Sequence, residues 1–359
     1  MGWVVWSVDT ETGAREGIVP LKEGTWACPL DASGLGQGSF FVGDRDSFGM
    51  PGDFMTTPVL RTLVFEYDGF PMYAGIIWIR KYDFDASTVH LTYADPNSIL
   101  GKRLVAPYSS AGMQAAPPLE YGPLSLETQV KRAVQAATAG DMFELPIVLP
   151  ADMAGVHSRT YYGYHMMKAS DVIQDLKEQP YGPDVIFTPR WKPGNPNLFE
   201  WVLNIGVPVP GLLVFHVGVK KSGISKLTVT EDANELANHV IATGEGTEAA
   251  MLVKSAIHGA SEYPALVKTI SFPQEKDETV LQALADAELA LNKKPVEQWA
   301  FNIQAGAEHK LSELRPGLGV RVHVQKNAWL GNGTRNLRLI GVSGSLKPEV
   351  TLQFQPMEA

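Results

Sequence analysis

The chain has 359 residues and a formal net charge of −9, with ordinary apolar content, so it is long enough for several domains and too apolar for a disordered chain. No block of lysine and arginine occurs, which excludes a tight grip on a phosphate backbone, and a weak negative potential keeps nucleic acid from sticking. Plentiful, scattered glycine and proline suit many short strands joined by tight turns.

In chain order, residues 1 to about 105 read as strands. Trp3–Val8 is a strand-like run, and a second run, Trp26–Leu30, holds the single cysteine, Cys28, which excludes an intramolecular disulfide and a cysteine-based zinc site. Within that apolar run Cys28 reads as a small buried hydrophobe rather than a reactive thiol. The glycine-rich stretch Asp31–Ser39 reads as a turn leading into Phe40–Val42. Thr62–Tyr67 and Pro71–Ile79 flank Asp68-Gly69, a hairpin signal, and Gly75 in the returning strand suggests a bulge or a sharp bend. Thr88–Tyr93 alternates as their partner. These are the parts of a small barrel.

From about 106 to 205 helical spacing enters. Ser125 predicts a cap for a helix carrying Leu126, Val130, Ala133, Val134 and Ala137 and ending at Gly140. Ser170 predicts a second cap, with Val172, Ile173 and Leu176 inward and Pro180 stopping the helix. Val185–Thr188 and Leu198–Leu203 are strand-like, so this part reads as an α/β insert. The longest apolar run, Val207–Val219, is broken by Pro208, Pro210 and His216 well short of a membrane span. No secretory leader is expected.

The last part returns to strands at Leu212–Val217, Lys226–Thr230, Asn238–Thr243 and Ala265–Phe272. Asp277 then caps a helix whose Val280, Leu281, Leu284, Ala287 and Leu291 form an apolar stripe, ended by Asn292 and Pro295. Trp299–Ile303 leads to a closing meander through Val320–Val324, Leu337–Val342 and Val350–Phe354. The expected fold class is mainly β with an α+β insert. Two small β-barrel-like domains, 1–105 and 206–359, flank an α/β domain at 106–205; the helix at about 278–292 falls in the second barrel segment.

Candidate chemical sites are few. Gly244–Ala249 fits a Gly-x-Gly-x-x-Ala pattern after a strand, but the next strand ends Ser271-Phe272-Pro273 without an acid, so no cofactor is expected. His157 and His165 bracket a tyrosine-rich stretch at a spacing foreign to metal ligation, so no metal is expected and surface contacts are the better reading. Asp83 and Asp85 alternate on one strand and resemble a carboxylate pair, read instead as a solvated face. No nucleophile elbow, zinc-protease motif or phosphate loop is present, and no catalytic residue is expected. Trp6, Trp78, Trp191 and Trp329 sit near strand ends or loops. Trp329, with Asn327 and Asn332 beside it in the Asn332-Gly333 turn, is the candidate partner contact.

Several stretches carry a resemblance. Tyr67-Asp68-Gly69 with Tyr73–Ile77, Asn97–Pro107, the helix over 125–139, Glu235–Gly244 and Leu314–Val322 are similar in kind and order to elements of bacteriophage tail-hub proteins. The chain resembles the baseplate-hub-like minor tail proteins of long-tailed phages, in particular the Gp37-like family of actinobacterial siphoviruses. Leu318 and Gly319 stand where that family commonly has an acid. The resemblance implies a structural virion protein, made in the host cytoplasm and placed at the tail tip, that joins the tail tube to the cell-binding tip. It implies a homotrimeric ring with the distal tail protein, the tape-measure protein and downstream tip or fibre proteins as neighbours, and a bore through which DNA passes. Two other readings stand beside it: a tail-associated cell-wall glycan or peptidoglycan hydrolase, and a carbohydrate-binding module stacking sugars on Trp329.

Overall fold

The computed structural model describes residues 2–42, 52–106, 112–140, 142–179, 182–206, 211–219, 222–259, 262–273, 275–304 and 309–357. Pro107, Pro180, Pro208 and Pro210 lie outside the described residues. The fold is mainly β, as the alternating runs predict, and divides into two compact units, one of residues 1–226 with 301–359 and one of residues 227–300.

The larger unit opens with β1 (Trp3–Asp9), β2 (Arg15–Ile18), β3 (Glu23–Pro29), β4 (Leu35–Phe41), a short helix α1 (Gly52–Met55), β5 (Arg61–Tyr67), β6 (Phe70–Asp83), β7 (Thr88–Ala94) and a short helix α2 (Asn97–Leu100). The strands lie in the order β3-β4-β7-β6-β5-β1-β2. The β5–β6 turn forms as its residues require: Asp68 and Gly69 hold φ of 50° and 83°, the paired positive values of a tight hairpin. Phe65, Tyr73 and Tyr93 pack in a triangle with centroids 5.4, 5.9 and 6.1 Å apart. That triangle explains glycines that the sequence reading misplaces. Gly36 and Gly38 lie inside β4 rather than in a turn, and a Cβ on Gly36 would come within 2.2 Å of the Tyr93 ring. Gly75 pairs in regular register with Leu63, and a Cβ there would meet the Tyr73 hydroxyl at 2.7 Å. Its role is to make room for rings; register shifts fall at Phe65/Glu66 and Ile77/Ile79 instead.

Next come β8 (Leu119–Leu124), α3 (Leu126–Ala137), β9 (Ile147–Val148), β10 (His157–Tyr161), α4 (Ala169–Lys177), β11 (Val185–Lys192) and β12 (Asn195–Ile205). Ser125 caps α3 as predicted, accepting the Thr128 N–H at 3.2 Å, and the predicted apolar face of α3 is buried. The second helix departs from expectation. It starts at Ala169 behind Lys168, and Ser170 lies within it, its hydroxyl turned to the Asp171 carboxylate. The buried face of α4, Val172, Ile173 and Leu176, is as expected and joins Phe187, Phe199 and Trp201 in a core shared with Val8, Val64 and Ile76. Arg15 lies over the rings of both Trp6 and Trp191, 4.0 Å from each centroid, and Glu66 accepts the Trp191 indole N–H at 2.7 Å. Trp6 and Trp191 thus clamp a cation, and Trp78 donates to Ser98.

The chain continues through β13 (Leu212–Val217), β14 (Ile224–Asp232), β15 (His239–Thr243), β16 (Val253–Ile257), β17 (Val267–Ser271), α5 (Glu278–Asn292), β18 (Val296–Gln304), β19 (Gly319–Val324), β20 (Gly333–Ser345) and β21 (Glu349–Pro356). The meander β19–β20–β21 is antiparallel as expected, and β13 joins β19 in parallel. The long strand β20 is the seam of the larger unit: its first half pairs with β19, its second half with β3, and β21 runs along it. Phe301 stacks on Phe354 at 4.7 Å, and Phe215 meets Phe301 edge-on at 5.1 Å, filling the core beneath.

The smaller unit is a two-layer module. β15 lies between β16, antiparallel, and β17, parallel. Asp277 caps α5, accepting from Thr279 and Val280 N–H. The inward stripe of α5 is Leu281 and Ala285, packed on Val240, Ala242 and Ala256, with Leu289 partly buried against them. Val280, Ala287 and Leu291, expected on that stripe, are exposed, because the narrow sheet engages a single ridge of the helix. Residues 227–300 hold twelve of the chain's 39 acidic residues but five of its 30 basic ones, so a net −7 of the total −9 lies here. No described helix is long and apolar enough to cross a membrane.

Candidate partner-contact site

The β19–β20 hairpin ends in a loop built by its own side chains. Asn327 Oδ1 accepts the N–H of Trp329 at 3.0 Å and of Leu330 at 2.9 Å, and Asn332 Oδ1 accepts the N–H of Lys326 at 2.8 Å. Asparagine suits this work because its short amide satisfies turn N–H groups that a ladder no longer reaches. Arg335 donates to the Leu330 carbonyl at 2.9 Å, closing the base, while Lys326 and Gly331 take φ of 55° and 67°. The outcome is a preformed loop holding the Trp329 side chain out, 90% exposed. A large apolar ring held in water on an ordered loop loses little further freedom on meeting a partner.

A second constellation ties distant stretches of the larger unit together. Asp31, in the β3–β4 connection, accepts the Val185 N–H at 2.8 Å and lies 3.7 Å from the Lys177 ammonium. Lys177 also donates to the Asp31 backbone carbonyl. Asp184, beside Asp31, is gripped by the two terminal guanidinium nitrogens of Arg338 on β20. Burial, and then the neighbouring Asp184 carboxyl, raise Asp31 above the usual carboxylate range to about 6, with the Val185 N–H and Lys177 acting the other way. At the other end of the same loop, Asp95 accepts from Ser33 Oγ, Gly34 N–H and Asn97 N–H, and burial carries it to about 6 despite those donors. Burial first, and the Asp95 charge second, push the nearby Cys28 thiol up to about 12, which keeps it protonated at neutral pH.

The remaining sequence candidates fall apart as sites. Asp83 ends β6 and its Oδ1 accepts the Ala86 N–H in the following turn, where Asp85 also lies, so the two share no strand face. His157 begins β10, whereas His165 packs edge-on against Tyr164 at 4.5 Å in a separate 3₁₀ turn. Among the described residues no group of three or more histidine, cysteine or acidic side chains is placed to hold a metal. Gly244 leads through a three-residue 3₁₀ turn, Glu248–Ala250, into the antiparallel β16, so the loop does not open the α-helix of a parallel βαβ unit that a dinucleotide fingerprint requires. Sequence reasoning singled out the loop at Trp329 but missed the charge cluster, because positions 31, 177, 184 and 338 share no motif and meet only in the fold.

No protein-family model matches the sequence, and no curated protein matches it. Solved structures do match from end to end. The 43 kDa tail protein of prophage MuSo2 from Shewanella oneidensis aligns with a TM-score of 0.63 at 8% identity, over 99% of this chain and 98% of that one. A tail protein from Neisseria meningitidis MC58 aligns at 0.57 and 12% identity, over 99% and 97%. A prophage tail protein from Listeria monocytogenes EGD-e aligns at 0.51 and 10% identity, over 98% and 94%. Across its whole length, therefore, this chain has the fold of these phage tail proteins.

Proposed function

We propose that this chain is a structural subunit of a bacteriophage tail-tip hub, a ring that joins the tail tube to the cell-binding and penetrating tip. The observation that carries this reading is the match to the Shewanella prophage tail protein, which runs over 99% of this chain and 98% of that one.

In this reading the chain forms a homotrimer. Its two β segments, 1–105 and 206–359, act as related barrel-like modules around the 106–205 insert. The distal tail protein, the tape-measure protein and downstream tip or fibre proteins are its neighbours, the virion tail tip is its location, and DNA passes the bore without tight binding. The affiliation with the Gp37-like proteins of actinobacterial siphoviruses belongs to this same proposal. Trp329, on the loop shaped by Asn327 and Asn332, is the proposed partner contact, and catalysis is not part of the role. The test is immunogold labelling of intact virions with antibody to this chain. Label confined to the tail tip supports the hub, and particles without label or without the protein overturn it. The sugar-binding alternative draws on the same exposed indole; glycan-array binding lost in Trp329→Ala would replace the partner-protein reading.

A further inference from the structure

His216 on β13 and His323 on β19 are register partners on adjacent parallel strands, so both imidazoles rise from the same face of the sheet. Their rings lie side by side, centroids 5.1 Å apart and planes 21° from parallel. His216 is exposed and His323 half-buried, one ladder row short of the hairpin end. The Nδ1 of His323 sits 2.9 Å from the Thr334 hydroxyl on β20, its cross-strand partner. A hydrogen bond at Nδ1 orients an imidazole and leaves Nε2 as its free nitrogen, the outer-shell arrangement that ligating histidines use.

We propose that His216 and His323 form a two-histidine chelating site for a divalent transition-metal ion of the copper, nickel or zinc class, at the base of the Trp329 loop. With His323 held by Thr334, the exposed His216 ring turns about its χ2 torsion, which is broad and costs little to turn, so that both rings reach a common ion. Imidazole ligands suit these borderline metals, with copper the strongest binder, and do not suit magnesium or calcium, which take oxygen ligands. Arg321 stands one row away on the same face and opposes any cation held by charge alone, which further favours ions that bond covalently to nitrogen. Two protein ligands leave coordination positions open to water or to a group from a docking partner. The site does not depend on the tail-hub reading.

The test is calorimetric titration of the untagged full chain with Cu2+, Ni2+ and Zn2+, beside His216→Ala, His323→Ala and the double variant. His216 is exposed at the margin of its sheet, so its loss should leave the thermal unfolding unchanged, which is measured alongside. The expected result is one ion per chain that either single substitution weakens at least tenfold, Cu2+ binding ahead of Zn2+. Thr334→Val should weaken binding by a smaller factor. Binding by the double variant equal to that of the natural chain, or no binding by the natural chain beyond that of the double variant, overturns the site.

Discussion

The two units of this chain solve the burial problem in opposite ways. The larger unit draws strands from both ends of the sequence into one sheet, with β20 pairing β3, and fills its cores with phenylalanine, tyrosine and tryptophan. The smaller unit is one contiguous stretch whose helix–sheet cluster is alanine, valine and leucine under a single helix, with Trp299 of β18 as its one fully buried aromatic among the described residues, outside that cluster. Charge follows the same division, nearly balanced in the larger unit and a net −7 in residues 227–300. Large aromatic cores assembled from distant segments set stability, whereas a small aliphatic core leaves most side chains on the surface, free to carry charge. The larger unit is therefore the scaffold, and the smaller one is mostly surface.

Substitutions can break this contrast. Phe354→Ala, at a ring buried against Phe301 and Phe215, should cost about 3–5 kcal/mol of global stability in urea titrations. A loss below about 1 kcal/mol would remove the aromatic core from its leading place. Leu281→Ala should cost about 2–3 kcal/mol, at the lower end of the usual range, because its alanine neighbours present little surface to lose. Hydrogen exchange should show that loss in 227–300 first; protection lost equally in β20 and β21 would mean the two units unfold as one. Ser125→Ala removes the α3 cap and should cost about 1 kcal/mol, read by the same titration.

The smallest effect concerns pH. Asp31 and Asp95 are both raised to about 6, above their unfolded value near 4, so the folded state holds their protons more tightly. Their contribution therefore falls as pH rises from about 4 to about 6 and returns on acidification through that window. Asp31→Asn keeps an oxygen for the Val185 N–H and mimics the protonated form beside Asp184. It should flatten this part of the pH profile and stabilise the protein at pH 7 by less than about 1 kcal/mol, since Asp31 is partly solvated. A steeper profile in Asp31→Asn would mean that Lys177 and Arg338 over-compensate both carboxylates.

Much of this architecture was legible in the residues themselves. Alternation marked most of the strands, Asp68-Gly69 specified its own hairpin, and Ser125 and Asp277 announced their helices, because each signal depends on neighbours within a few residues. The exposure of Trp329 was legible for the same reason, since Asn327 and Asn332 shape that loop locally. What the sequence could not decide were contacts between residues far apart in the chain. Gly36 and Gly75 read as turn and bulge until the rings of Tyr93 and Tyr73 stood over them, and Val280 read as core until the sheet proved too narrow to reach it. The meeting of Asp31 with Lys177, Asp184 and Arg338, and the pairing of His216 with His323, exist only because β20 and β19 bring those stretches together. Local periodicity wrote the elements, and long-range packing chose which side chains meet.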